Sequence, residues 1–240
     1  MEGYPSMSLP SFPPAVLRGF EFRFSGEKLL SASRRWQFFA AWKTHHRKMK
    51  NQAPAPQTVL YQPPILKGFL RNSSEFNYGV EAWEAYKRGS LSKDLIEEQK
   101  KVQEADLLIF QFPLYWFSMP AIMKGWMDRV LVQGFAHEFP NCYDSGLLKN
   151  KLALFSFTTG GSEEMYAKGG ISGDIRYLLW PMQHGIMHFC GVKVLAPHIC
   201  FAPEYVSEEK RKEMLIAWAQ RLKTLWKEEP INCSPDWYFK

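Results

Sequence analysis

Residues 107–129 read LLIFQFPLYWFSMPAIMKGWMDR, and this stretch decides the fold class. Its first six residues, 107–112, are all apolar except Gln111, which predicts a buried strand of a parallel sheet covered on both faces. An aromatic loop follows at 114–117, and Pro120 at the first helical position introduces a helix predicted to run from Ala121 to Val132. The loop is therefore expected at the carboxyl edge of the sheet, where open α/β folds bind ligands.

A second loop is predicted at the same edge. The apolar strand 151–157 (KLALFSF) runs into Thr158-Thr159-Gly160-Gly161, and two glycines allow a backbone to approach a ligand closely. The sequence is neither a GxGxxG turn nor a Walker A loop. The aromatic loop either packs on the protein's own core or forms the wall of a ligand site. Together the two loops indicate a slot for a planar ring with hydrogen-bonding edges, and a flavin is the natural occupant.

The remaining pattern alternates helices with strands. Helices are predicted over 90–104, 175–190 and 207–226, the second of them interrupted near Pro181, and the last strand falls within 193–201. This alternation predicts a parallel α/β sheet with helices on its faces.

Composition limits the classes of function. The net charge of +6 comes from the N-terminal part, because residues 1–67 carry ten Lys and Arg against three acidic residues, while residues 68–240 carry 20 against 21. Such a segregated charge does not indicate nucleic-acid binding. No apolar window reaches the ~18 residues of a membrane helix, and no secretory signal is visible. Four cysteines without a CxxC pattern suggest reduced thiols and a cytoplasmic location.

Three motifs carry a resemblance to a known family. PLYWFSMPAIMKGWMDRV at 113–130, TTGG-x4-Y at 158–166 and WPMQHGIMHFCG at 180–191 resemble the flavodoxin-like quinone reductases that carry FAD. The resemblance covers roughly residues 68–240. It implies two-electron reduction of quinones to hydroquinones by a reduced nicotinamide donor, through ping-pong hydride transfer. It also implies a homodimer with the active site at the subunit interface.

The resemblance assigns roles to individual residues. Those that bind FAD are Asn77 (from the partner subunit), Leu114, Tyr115, Trp116, Phe117, Thr158, Thr159, Gly160, Gly161, Tyr166, Glu204 and Arg211. Those that line the substrate pocket are Trp116, Phe117, His137, Glu138, Phe139, Met165, Ser172 and Phe189. Tyr166 is the catalytic residue, expected to donate a hydrogen bond to charge that develops on the flavin or the quinone.

The chain also departs from the family at its substrate pocket. Ser172 replaces a His or Asn, Cys142 replaces an aromatic residue, and His137-Glu138 replaces a Phe-Asp pair. These departures put the preferred quinone in doubt, but not the type of reaction. The chain ends soon after residues 237–239, as does the branch of the family that uses small reduced N-ribosyl or N-alkyl nicotinamides. We therefore expect those donors to be preferred to NAD(P)H.

Two histidines four residues apart raise the question of a metal. His184 and His188 project from one helix face, and Cys233 supplies a thiol near the end of the chain. The spacing alone is more typical of structural histidines on a partly buried helix than of metal ligands. The resemblance favours a structural zinc ion held by the three residues.

The N-terminal part, residues 1–67, is expected to be a separate, atypical and poorly ordered segment preceding the reductase domain at 68–240. It lacks the family's usual first strand and phosphate loop. It contains a possible amphipathic helix over 29–43 and possible short strands at 20–24 and 58–61, and it resembles either a transit peptide or an alternative first exon. A second function follows from this: an isoform with impaired FAD binding, inactive or acting only as a dimer partner.

Overall fold

The computed structural model describes the strand at residues 36–40 and the continuous stretch 75–235. Most of the predicted reductase domain, 68–240, therefore lies within the described residues. The expected strands at 20–24 and 58–61 lie outside them, as does most of the N-terminal segment that was expected to be poorly ordered, all but residues 36–40.

The core of the fold is a parallel sheet. Its five strands are β1 (Trp36–Ala40), β2 (Leu107–Pro113), β3 (Leu152–Thr159), β4 (Lys193–Val194) and β5 (His198–Phe201). The order is β1-β2-β3, after which β4 pairs with the beginning of β3 and β5 with its end. All these pairings are parallel, as the alternation of strands and helices predicted.

The expected helix over 29–43 is wrong at its centre, where the structure has strand β1. Trp36 is the partner of Leu107 and Ala40 is the partner of Gln111, so β1 lies on the side of β2 opposite β3. Pairing with β2 satisfies backbone groups that a helix would leave open on that sheet edge. The aromatic sequence WQFFA also suits a strand, and the tertiary pairing overrides the helical periodicity.

Helices surround the sheet. They are α1 (Tyr78–Lys87), α2 (Lys93–Glu104), α3 (Ala121–Val130), α4 (Ile175–Met182) and α5 (Glu208–Thr224). A π-helical turn, Gln183–His188, continues α4, and short 3-10 turns occur at Tyr143–Ser145, Glu163–Tyr166 and Leu225–Lys227. Among the described residues, none of the helices is both long and apolar enough to span a bilayer.

Both faces of the sheet are covered, as predicted for a central parallel strand. Along β2, Leu108 and Phe110 face one core, which the helices α1 to α4 complete. Leu107 and Ile109 face the other core, which includes Trp218 from α5. These four β2 residues are at most 1% exposed. Each such side chain contributes about 1.5–3 kcal/mol by leaving water.

Local signals fix most helix boundaries. The Ser207 hydroxyl accepts a hydrogen bond from the Lys210 N–H at 3.2 Å and starts α5 as predicted. Ser92 stands at the N-cap of α2, but its hydroxyl makes no cap bond, and Pro120 is the N-cap of α3 rather than its first helical residue. The predicted interruption near Pro181 is the change to π-helix, because proline removes a backbone donor.

Candidate active site

The aromatic loop after β2 is a tight, strained turn. Tyr115 and Ser118 exchange two backbone hydrogen bonds of 2.9 Å, and the central residues Trp116 and Phe117 have φ angles of 50° and 57°. This is the geometry of a type I′ turn, which Asn-Gly normally occupies. Left-handed backbone at a bulky residue costs on the order of 1–3 kcal/mol and is concentrated at functional sites. The turn holds Trp116 with 96% of its surface exposed, at the edge where ligands bind.

The glycine loop after β3 is fastened to this turn. The Leu114 N–H donates to the Thr158 carbonyl oxygen at 2.8 Å, which holds the two loops side by side. The buried Thr159 hydroxyl donates to the Gly161 carbonyl at 2.8 Å and shapes the loop from within. A Cβ added at Gly160 would meet nothing within 4 Å, so the backbone there is open to a ligand.

Tyr166 is the buried polar group beside both loops. Its ring centroid lies 6.2 Å from that of Phe117 and 6.1 Å from that of Phe201, and the residue is 7% exposed. Phe201 ends β5, and Ala202 follows with a φ of 44° and an N–H donated to the Thr159 carbonyl. Sequence reasoning missed Phe201 and Ala202. The signal that identifies them is their position at the carboxyl end of the last strand.

Met165 and Ser172 belong to the same neighbourhood. The Ser172 N–H donates to the Met165 carbonyl at 2.9 Å. Gly170 allows this fold-back, because an added Cβ would lie 2.5 Å from the carbonyl oxygens of Glu164 and Met165. The structure thus joins Met165, Tyr166 and Ser172 in one segment beside the glycine loop.

Two predicted FAD-binding residues, Arg211 and Asn77, make local hydrogen bonds in the structure. One guanidinium nitrogen of Arg211 donates to the carbonyls of Pro203 and Val206, at 3.3 Å and 2.6 Å, and so braces the loop that carries the exposed Glu204. The Asn77 side chain accepts from the Val80 N–H at 3.2 Å and caps α1.

The other predicted substrate residues form a second group on different elements. His137, Glu138 and Phe139 lie in the excursion between α3 and β3, and the His137 ring centroid is 5.5 Å from that of Phe189. His137 and Phe189 line a cavity of about 300 Å³, while Phe139 is 86% exposed. Burial lowers the pKa of His137, so its imidazole is neutral at pH 7. The chain therefore presents the predicted pocket residues in two groups.

The two histidines among the predicted zinc ligands lie near one another, and one ring nitrogen of each already has a partner. The ring centroids of His184 and His188 are 5.4 Å apart, as the i,i+4 spacing predicted. His184 Nδ1 lies 2.6 Å from the backbone carbonyl of Cys233, and His188 Nε2 lies 3.2 Å from an Asp144 carboxylate oxygen. Within residues 36–40 and 75–235, no three His, Cys, Asp or Glu side chains are grouped to hold a metal. The structural zinc is therefore not supported.

Comparison with known proteins gives the family. A model described as a flavodoxin-like fold matches residues 30–222. The chain belongs to this flavodoxin-like family. The match includes strand β1. The predicted flavodoxin-like parallel sheet with helices on its faces is confirmed, and the expected lack of a strand before β2 is not, because β1 pairs with β2.

Individual relatives agree with this assignment. Ribosyldihydronicotinamide dehydrogenase [quinone] of Rattus norvegicus is 68% identical over 173 residues, which are 72% of this chain and 75% of that protein. NAD(P)H dehydrogenase [quinone] 1 of Rattus norvegicus is 47% identical over 72% of this chain and 64% of its own length. A solved structure from Klebsiella pneumoniae, provisionally described as a quinone reductase, has a TM-score of 0.60 and 41% identity over 63% of this chain and 62% of its own. The resemblance inferred from the motifs is confirmed, and the chain is an oxidoreductase by similarity to these enzymes.

Proposed function

We propose that the chain is an FAD-dependent quinone reductase that takes a hydride from a small reduced nicotinamide. The observation that carries the proposal is the strained turn of Trp116 and Phe117, fastened by the Leu114–Thr158 hydrogen bond to a glycine loop. Core packing does not account for it, because Trp116 is almost fully exposed. A flat ligand bound between the two loops would bury the indole ring of Trp116.

The residues at this edge fit the ring of a flavin. Trp116 and Phe117 supply aromatic surface, and the open backbone at Gly160 permits close approach to a ring edge. Peptide groups of a glycine loop suit the carbonyls and nitrogens of an isoalloxazine. The chemistry that FAD supplies when bound is hydride transfer, from the nicotinamide to the ring and from the ring to the quinone.

Tyr166 is the proposed catalytic residue. Its ring is held between Phe117 and Phe201, which leaves the phenolic O–H as the polar end of a buried side chain. A fixed O–H donor stabilises negative charge that develops on a carbonyl oxygen or on a ring nitrogen. Met165 and Ser172 lie beside it and form the near wall of the substrate slot. Donor and quinone use this slot in turn, which gives ping-pong kinetics.

A symmetric homodimer would unite the two groups of pocket residues. Phe139 in one group and Trp116 in the other are 86% and 96% exposed, an unusual arrangement for large apolar side chains that contribute to one site. In a two-fold dimer, each group faces its complement on the other protomer. His137, Glu138 and Phe189 of one protomer then complete the slot of the other, and Asn77 reaches the FAD of the other.

The N-terminal segment supports a competing proposal. The region between β1 and residue 68 contains no glycine, so it offers no glycine-rich phosphate turn. The ribosyldihydronicotinamide relative in Rattus norvegicus aligns with only 72% of the chain. The competing function is an isoform whose FAD binding is impaired, acting at most as a dimer partner. The proposed location is the cytoplasm, consistent with four free cysteines.

Reconstitution with FAD distinguishes the two. The purified full chain is mixed with excess FAD, freed of unbound cofactor, and assayed for quinone reduction with dihydronicotinamide riboside and with NADPH. We expect protein-bound flavin and activity, with a higher kcat/KM for the riboside. Trp116→Ala removes the aromatic wall and lowers activity, whereas Ile216→Ala, an exposed position on α5, leaves it unchanged. Activity no greater than that of free FAD would favour the competing isoform.

A further inference from the structure

Two cysteines outside the flavin edge are brought together by backbone contacts. Cys142 lies in the excursion between α3 and β3, and Cys190 follows the π-helical turn after α4. The Tyr143 N–H donates to the Phe189 carbonyl at 3.0 Å. Tyr143 directly follows Cys142, and Phe189 directly precedes Cys190. Standard backbone dimensions then keep the two Cα atoms within about 8 Å of each other.

Further contacts hold the two segments together. The Leu148 N–H donates to the Cys190 carbonyl at 2.9 Å, and a Cβ added at Gly146 would lie 2.4 Å from the Cys190 carbonyl carbon. The backbones are therefore in direct contact around Cys190. The two thiols are also close enough to interact electrostatically.

We propose that Cys142 and Cys190 form a reversible, peroxide-dependent disulfide. A disulfide needs its Cα atoms about 4.4–6.8 Å apart, a range that lies within the limit of about 8 Å set by these contacts. Reversible disulfides in reducing compartments are typically redox-sensing. The cross-link would close a loop of about 50 residues and fasten Tyr143 against Phe189.

The chemistry assigns different roles to the two thiols. Cys142 is half-buried and accessible, whereas Cys190 is 3% exposed. The Cys142 thiolate attacks hydrogen peroxide, which gives a sulfenic acid at Cys142 and hydroxide that is protonated to water. The Cys190 sulfur then displaces the sulfenic oxygen as a second water, with loss of the Cys190 proton, and the S–S bond forms. One peroxide is reduced and two thiols are oxidised.

Peptide mapping tests the proposal directly. Trypsin places the four cysteines on separate peptides, 130–149, 177–193, 194–210 and 228–240. The full-length protein is treated at about pH 8.5, where ordinary thiols are substantially ionised, with a small excess of hydrogen peroxide, alkylated and digested without reductant. We expect a cross-linked species in which peptide 130–149 is joined to peptide 177–193. Its mass is lower by two hydrogens than the sum of the two peptides, and reduction with dithiothreitol separates them.

Matched variants identify the pair. Cys142→Ser abolishes the cross-linked species, and Cys200→Ser, at another half-buried cysteine, leaves it unchanged. The oxidised wild type unfolds at a temperature higher by roughly 5 °C, and Cys142→Ser shows no such rise. Cross-linking of Cys142 to Cys200 or Cys233, or free alkylation of both Cys142 and Cys190 after peroxide, would overturn the proposal.

Discussion

The backbone N–H of Leu114 donates to the carbonyl oxygen of Thr158 at 2.8 Å, just beyond the last residue of β2. This one bond fixes the spacing between the aromatic turn and the glycine loop. Both loops take their direction from neighbouring parallel strands, whose pairing continues to Pro113 and Thr158. The proposed ring site is therefore an extension of the sheet, and its width depends on the strand spacing.

Removing the backbone strain of the aromatic turn should make the protein more stable but less active. We predict that Trp116→Asn with Phe117→Gly raises the free energy of unfolding by about 1 kcal/mol, because Asn-Gly suits the positive φ angles of the turn. The same change should lower kcat/KM for quinone reduction more than roughly tenfold, since the aromatic wall is lost. Chemical denaturation and steady-state kinetics measure the two effects. A double variant that is both less stable and fully active would contradict this account of the turn.

Substitutions at the adjacent glycines Gly160 and Gly161 should also affect stability and flavin binding differently. A Cβ at Gly161 would lie 3.0 Å from the Met165 sulfur and 3.1 Å from the Tyr166 ring, so Gly161→Ala should cost about 1 kcal/mol of stability. Gly160→Ala should change stability by less than about 0.5 kcal/mol, because its Cβ meets open space. We nevertheless expect Gly160→Ala to weaken flavin binding by about tenfold. Thermal unfolding and flavin titration test the pair, and equal effects of both substitutions would refute the distinction.

His198 predicts a specific loss of stability in acid. Burial, followed by the charge of Arg221, lowers its pKa to about 4, and the ring stacks on Trp218 at 4.5 Å. As the pH falls below about 6.5, His198 takes up a proton in the unfolded chain but not in the folded protein. The stability that the neutral, buried imidazole contributes is therefore fully present above that pH and is lost as the pH falls towards 4. Because the side chain is only half-buried, we expect about 1–2 kcal/mol.

A variant isolates this effect from other titrating groups. His198→Phe retains a ring against Trp218 and removes the proton-binding nitrogen. The free energy of unfolding is measured at pH 7 and pH 4.5 for both proteins. Wild type should lose more than His198→Phe over this interval, and identical losses would show that His198 does not contribute.

Sequence reasoning succeeded where the pattern was local and failed where the partner was distant. The apolar run of β2 and the TTGG sequence of β3 predicted both loops, because an apolar run and turn residues are recognisable over a few positions. Strand β1 was misread as a helix, since WQFFA becomes a strand only by pairing with residues about 70 positions away. The roles of Phe201 and Ala202 also depended on tertiary contacts with Tyr166 and Thr159.

The pyrophosphate of FAD should add little to its affinity for this chain. Residues 41–67 contain no glycine, and we expect FAD to bind mainly through its ring. Each missing charge-assisted bond to the pyrophosphate costs about 1.5–3 kcal/mol. We predict Kd values for FAD and riboflavin within about tenfold of each other. Fluorescence titration of the flavin-free protein measures both, and FAD affinity a thousandfold above that of riboflavin would mean that the N-terminal segment builds a phosphate site of its own.

The most direct test of the proposed function tracks the flavin's absorbance through both half-reactions. The full chain, saturated with FAD under anaerobic conditions, is mixed first with dihydronicotinamide riboside and then with a quinone. We predict that the donor bleaches the flavin band and that one equivalent of quinone restores it. Both rates should fall at least roughly tenfold in Tyr166→Phe, because the substitution removes the hydroxyl that stabilises the developing charge. A chain that holds no FAD at saturation, or holds FAD that the donor does not bleach, would contradict the proposed function.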